Sequence, residues 1–164
     1  MRDAIWSFFL LVLVSVAIDA RAQAMAPAAA PAAAGAAACK LTITGSDVMQ
    51  FDKKELKAPA TCKTIELTLK HSGKLAANVM GHNWVLAKTA DVQPIVSAGI
   101  AAGLKNNHVP PGDKRVIAAT KVIGGGQSTA ITFSTAALKK GEAYTYFCTF
   151  PGHAAIMKGK FVFG

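Results

Sequence analysis

The chain has 164 residues, enough for one domain with a true hydrophobic core and too few for two domains of ordinary size. A formal net charge of +9 raises nucleic acid as a partner, but the lysines stand singly or in pairs and no aromatic residues interleave with them. A solvated basic face that favours acidic partners or surfaces is the better reading.

Residues 1–24 open on Arg2, continue through the apolar run IWSFFLLVLVSVAI and close on Ala22-Gln23-Ala24, a small-x-small cleavage signal. The run is shorter than the roughly 20 apolar residues that span a bilayer, and Asp19 and Arg21 follow it closely. An export signal cleaved after Ala24 is therefore expected, and with it a periplasmic location and no stable membrane insertion. Residues 25–38, MAPAAAPAAAGAAA, carry no charge, no aromatic and no large branched side chain. Such a segment cannot bury enough apolar surface to offset its ordering entropy and is expected to be a mobile tether. Acylation of Cys39 is disfavoured, because Ala-Ala-Ala is a poor lipid-attachment signal and lies far from the apolar run. Arg2 and Arg21 cancel Asp3 and Asp19, so the whole net charge rests on the domain expected over residues 39–164.

Within that domain, residues 40–44, 64–70, 83–88, 115–119, 128–133, 142–148 and 158–163 alternate or are rich in β-branched and aromatic side chains. Turn signals such as His71-Ser72-Gly73, Val109-Pro-Pro-Gly-Asp113 and Gly124-Gly-Gly126 separate them. Seven to eight short strands at this spacing predict an all-β fold, an antiparallel two-sheet sandwich or Greek-key barrel. Residues 89–104 break the pattern: Asp91 is a candidate cap, Pro94 comes early, and Val92, Ile95 or Val96, and Ile100 have helical spacing. One inserted helix is expected, packing on the core without a role in chemistry.

Export permits disulfides, so a count of three cysteines leaves one over. Counting allows any pairing; Cys39 with Cys62 is preferred because Cys148 stands in a donor cluster. That cluster, CTFPGHAAIM, spaces Cys148, His153 and Met157 as C-x4-H-x3-M around a Pro-Gly turn, and VMGHNW places His82 after Gly81. Taken singly, Met157 is more often core filler, a histidine more often structural, and a cysteine more often a small buried hydrophobe. Together, two imidazoles, a thiolate and a weak thioether form the ligand set of a mononuclear electron-transfer copper site. Thiolate and thioether favour Cu(I), imidazole accepts Cu(II), and a β-scaffold keeps the geometry from relaxing between them. A glycine at 81 lets its carbonyl approach the metal opposite Met157.

The stretches NVMGHNWVL (78–86), RVIA (115–118), KVIGGG (121–126) and FCTFPGHAAIMKG (147–159) closely resemble those of the azurins, bacterial blue-copper proteins of the cupredoxin fold. The resemblance runs from Cys39 to the end of the chain. It implies one type 1 copper ion held by His82, Cys148 and His153, with Met157 and the Gly81 carbonyl as distant axial ligands. It also implies the Cys39–Cys62 disulfide, an Asn83 that ties the two ligand loops together, and a Phe150 backbone N–H that donates toward the Cys148 sulfur. Trp84 is expected in the core. Met49, Leu75, Met80, Phe150, Pro151, Gly152 and Ala155 are expected to form an apolar patch through which His153 reaches solvent. Ser72 stands where proline is common in the family, and Ala119 where several members have histidine. His108 is expected to be an exposed loop residue without a metal role, and His71 a buried, hydrogen-bonded histidine that titrates and couples weakly to the potential.

These readings describe a one-electron carrier rather than an enzyme. A Cys-His nucleophile pair has no use for Met157 or His82, and a copper reductase needs a second copper site, for which only His71 and His108 remain. A periplasmic copper carrier or storage protein is the alternative, although such proteins use exchangeable sites. The expected partners are redox proteins such as c-type cytochromes or periplasmic reductases and dehydrogenases. No nucleic acid is expected among them.

Overall fold

The computed structural model describes residues 39–164; the expected signal and tether lie outside the described residues. Among the described residues nine strands form two sheets. The first holds β1 (Lys40–Ser46), β2 (Gln50–Phe51), β4 (Thr64–His71) and β7 (Ser128–Ser134) in the order β2-β1-β4-β7. The second holds β3 (Glu55–Ala58), β5 (Val85–Lys88), β6 (Ala118–Ala119), β8 (Tyr144–Phe147) and β9 (Lys158–Phe163) in the order β3-β9-β8-β5-β6. Among the described residues the α-helices are the single turn α1 (Ala77–Met80) and the longer α2 (Val92–Ala102). Among the described residues no helix is long and apolar enough to cross a membrane.

The sandwich is as expected, but its sheets are mixed. β1 pairs parallel with β4, and β3 parallel with β9. The chain leaves the first sheet after β2, contributes β3 to the second, and re-enters beside β1 in the same direction. Alternation of apolar and polar residues is the same in parallel and antiparallel strands, so the pattern carries no directional information. The expected strand 115–119 contracts to Ala118–Ala119, and β2 and β3 are too short for an alternation signal.

Period-2 alternation explains the core. Ile43 on β1, Ile65, Leu67 and Leu69 on β4, Leu86 on β5, Tyr144 and Tyr146 on β8, and Phe161 and Phe163 on β9 point between the sheets around Trp84. The opposite parity of the second sheet, Val85, Ala87 and Phe147, packs beneath Ile95 of α2 in a second small core. This is why Val85, Leu86 and Ala87 are all buried in succession. Asp91 occupies the N-cap position of α2 but makes no side-chain capping bond. Ile100, assigned to the core by spacing, faces out. The Cys39–Cys62 disulfide forms, with Cα atoms 5.7 Å apart, and Cys148 is left as a buried free thiol.

Candidate metal centre

The inward-facing rows continue past the strand ends, and the donors lie on those extensions. His82 precedes Trp84 by two residues, Cys148 follows Tyr146 by two, and Met157 precedes Phe161 by four, so each shares the parity of the core row beside it. All three are fully buried. Among the described residues the one cluster of candidate metal-binding donor atoms is that of His82, Cys148 and His153, all within 4.8 Å of one another.

Each donor is held by backbone. His82 N donates to the Ile123 carbonyl and Ile123 N to the His82 carbonyl, both at 2.9 Å. The loop that follows Cys148 is closed at its neck, where Cys148 N donates to the Met157 carbonyl at 3.0 Å. Inside the loop Gly152 adopts φ +84°, the left-handed region that favours glycine, and His153 then opens a one-turn 3-10 helix. Met157 N returns to the His153 carbonyl at 2.8 Å. The turn therefore brings His153 back over Cys148, with Nδ1 3.6 Å from Sγ. The Gly81 carbonyl oxygen lies 4.0 Å from the same sulfur.

The protonation states suit a metal. His82 Nε2 lies 2.8 Å from the Ser46 carbonyl, which can only accept, so the proton sits on Nε2 and Nδ1 is left as a lone pair. His82 Nδ1 is buried and has no hydrogen-bond partner, an orphan that a metal ion satisfies. Burial, followed by the charges of His82, His108 and His71, holds His153 down to about 4. Burial also lowers His82. The Cys148 thiol is pushed up to about 12 by burial, against the pull of the Asn83 and Phe150 backbone N–H groups. A cation replaces the thiol proton and relieves that burial cost, so the residues present fit a soft-to-borderline metal ion.

The neighbours refine the sequence reading. Asn83 links the two loops as expected: its Nδ2 donates to Thr149 Oγ1 at 2.7 Å and its Oδ1 accepts from Thr149 N at 2.9 Å. The need for glycine at 81 comes from packing, since a Cβ there would lie 2.2 Å from the Ala77 carbonyl oxygen and 2.5 Å from Val122 Cγ1. Gly45, which carries no motif, is equally constrained. It faces inward opposite His71 in the β1–β4 register, and a Cβ there would meet His82 Cδ2 at 2.7 Å and Met157 Cε at 2.8 Å. His71, the last inward position of β4, is buried, stacks on the His82 ring at 4.3 Å and bonds the Met80 carbonyl at 2.8 Å. His108 contradicts its expected exposure: it is only 7% exposed, because the 103–109 loop folds back against α2 and turns the ring inward.

Of the residues expected in the apolar patch, Leu75, Pro151, Gly152 and Ala155 are exposed, and Met49, Met80 and Phe150 are half-buried. His153 itself shows 3% of its surface, a narrower window than expected. Sequence reasoning missed Val48, Val79 and Ile156, which are 67%, 57% and 50% exposed. They neighbour Met49, Met80 and Ala155 in the chain.

A β-sandwich of mixed sheets with a buried His-Cys-His cluster at one end defines a cupredoxin-type metal-binding protein. The family "Copper binding proteins, plastocyanin/azurin family" matches residues 37–164, and the chain belongs to it. It is 59% identical over 121 residues to Azurin-1 of Alcaligenes xylosoxydans xylosoxydans, covering 74% of this chain and 94% of that protein. It is 56% identical over 121 residues to the azurin of Bordetella pertussis, covering 74% and 81%. The solved structure of the azurin Az-iso2 from Methylomonas sp. strain J superposes with a TM-score of 0.74 at 46% identity, over 77% of this chain and 98% of that one. The cofactor of this family is copper, and His82, Cys148 and His153 are its candidate site here.

Proposed function

We propose that the chain is a periplasmic one-electron carrier with a single type 1 copper ion, exchanging electrons through the apolar rim around His153. The observation that carries this reading is the convergence of His82 Nδ1, Cys148 Sγ and His153 Nδ1 in a buried pocket whose backbone is fixed by strand and turn. Bound copper supplies a centre that cycles between Cu(II) and Cu(I).

The residues do the rest. His82 and His153 present neutral imidazoles, and Cys148 gives up its proton to become a thiolate, which the Asn83 and Phe150 N–H groups stabilise. Met157, buried beside this loop, and the Gly81 carbonyl, 4.0 Å from Cys148 Sγ, would serve as weak outer contacts to a bound ion. Asn83 holds the two loops in one register, so the pocket need not rearrange when its charge changes. The rim excludes water and offers a small apolar surface for brief contacts with redox proteins such as c-type cytochromes or periplasmic reductases and dehydrogenases. The basic domain favours acidic or neutral partners at a salt-dependent rate.

Adding Cu(II) to the apo-protein tests the assignment. An intense thiolate-to-copper band in the visible, bleached reversibly on reduction, is the expected result; a colourless protein that takes up only Cu(I) would replace the electron carrier by a copper carrier. Met80→Lys should slow electron self-exchange with the visible spectrum nearly intact, and an unchanged rate removes the patch from the mechanism.

A further inference from the structure

Between α2 and the metal-site loops lies a short segment to which the copper reading assigns nothing. Gly103 ends α2, residues Leu104–Asn106 form one 3-10 turn, and the chain then places two consecutive non-glycine residues, Asn107 and His108, at φ +55° and +52°. Such conformations cost free energy and persist only where surrounding contacts enforce them. The contacts are present. His108 N donates to the Gly103 carbonyl at 2.9 Å and Val109 N to the Asn106 carbonyl at 2.9 Å. The His108 carbonyl presses on α2 so closely that a Cβ at Gly99 would lie 2.2 Å from its oxygen.

The other side of the segment faces the metal site. The Asn107 carbonyl accepts from Asn83 Nδ2 at 2.8 Å, the same amide that holds Thr149, and Asn107 Oδ1 accepts from Val122 N at 2.9 Å, beside the strand bridge that fixes His82. The His108 ring stands edge-on to Phe150, centroids 5.3 Å apart at 72°, and Phe150 in turn lies 4.7 Å from the His153 ring. The His108 Nδ1 is buried without a hydrogen-bond partner, and the contact the ring makes toward the metal site is this edge-on packing against Phe150.

We propose that Asn107 and His108 form a third strap on the metal site, anchored on α2: Asn107 fixes the Asn83 amide, and His108 braces Phe150, whose backbone N–H serves the Cys148 sulfur. Both are positioning residues. They restrict the 148–153 turn from the α2 side, and so help set the hydrogen bond to sulfur that tunes the potential. This inference rests on the copper reading, but part of its test needs no metal.

The experiment compares the parent with His108→Ala, His108→Phe and Asn107→Gly. In the apo-protein, amide exchange at Phe150 should rise at least about tenfold in His108→Ala and stay near the parent in His108→Phe, which keeps the ring contact. In the copper-loaded protein, His108→Ala should lower the reduction potential and shift the thiolate-to-copper band, because a looser turn weakens the N–H contact to sulfur; His108→Phe should restore both. Unmoved exchange, or an unmoved potential and band, overturns the strap, and so does an equal effect of Ala and Phe. Asn107→Gly keeps the left-handed backbone and the carbonyl, and serves if His108→Ala does not fold. It should speed exchange at Thr149 and Val122, and parent-like exchange at both would refute the strap. A parent without the visible band would instead overturn the copper reading, leaving the apo exchange result to judge the strap alone.

Discussion

Replacing Asn83 by alanine should destabilise the apo-protein more than any surface change, although the residue would not itself touch the metal. Its amide makes three hydrogen bonds, to Thr149 Oγ1, Thr149 N and the Asn107 carbonyl, at 2.7 to 2.9 Å. Asn83 and Thr149 are fully buried, so water cannot replace the lost partner at Thr149 N. A buried group left unsatisfied costs about 1–3 kcal/mol. With the Thr149 N–H stranded and the half-buried Asn107 carbonyl partly rehydrated, the loss should be about 2–4 kcal/mol. Urea unfolding of the apo-protein reads this as a midpoint lower by roughly 1–2 M at an unchanged m-value. A double-mutant cycle with Thr149→Val should return a coupling of about 1 kcal/mol or more. A midpoint shift worth less than about 1 kcal/mol would refute the reasoning, since the loop clamp would then be held by something other than this amide.

Three further outcomes follow from the same geometry. Copper(II) uptake at pH 7 should release close to one proton per ion, because the Cys148 thiol is pushed up to about 12 while burial leaves His153, at about 4, already neutral; an indicator-dye titration that finds none or two contradicts this assignment. Folded His82 and His153 both lie below the usual 6.5, so as pH falls the unfolded chain binds protons first. Apo stability should therefore be full above about 6.5 and drain as the pH falls toward 4, and chemical denaturation at a series of pH values showing a flat profile across that window would be the contrary result. Gly45→Ala should cost about 1–3 kcal/mol by overpacking and displace the thiolate-to-copper band, since its Cβ would lie 2.7 Å from His82 Cδ2 and 2.8 Å from Met157 Cε; parent-like stability and spectrum would show that the rings move aside at no cost.

The sequence by itself determined the sandwich and the donors, because both depend on local signals. Period-2 runs fixed which side chains of β4, β8 and β9 face inward, and the C-x4-H-x3-M spacing around Pro-Gly placed Cys148, His153 and Met157 on one turn. Counting left every cysteine pairing open, while the donor set around Cys148 and the family resemblance favoured Cys39 with Cys62, the pair the structure joins. Tertiary structure decided what depends on contacts distant in the chain. The direction of β1 against β4 leaves no trace in alternation, so the mixed sheets were not legible. Gly45 lies 37 residues from His82 and 112 from Met157, and its missing side chain acquires meaning only where β1 passes beneath both. His108 looked like an ordinary loop residue among prolines and asparagines, and it became buried because Asn107 and His108 turn left-handed and fold the loop between α2 and Phe150. Local propensity selects strands and turns, whereas burial is a property of the assembled surfaces, and it is burial that makes this cluster of imidazoles and thiol a metal site.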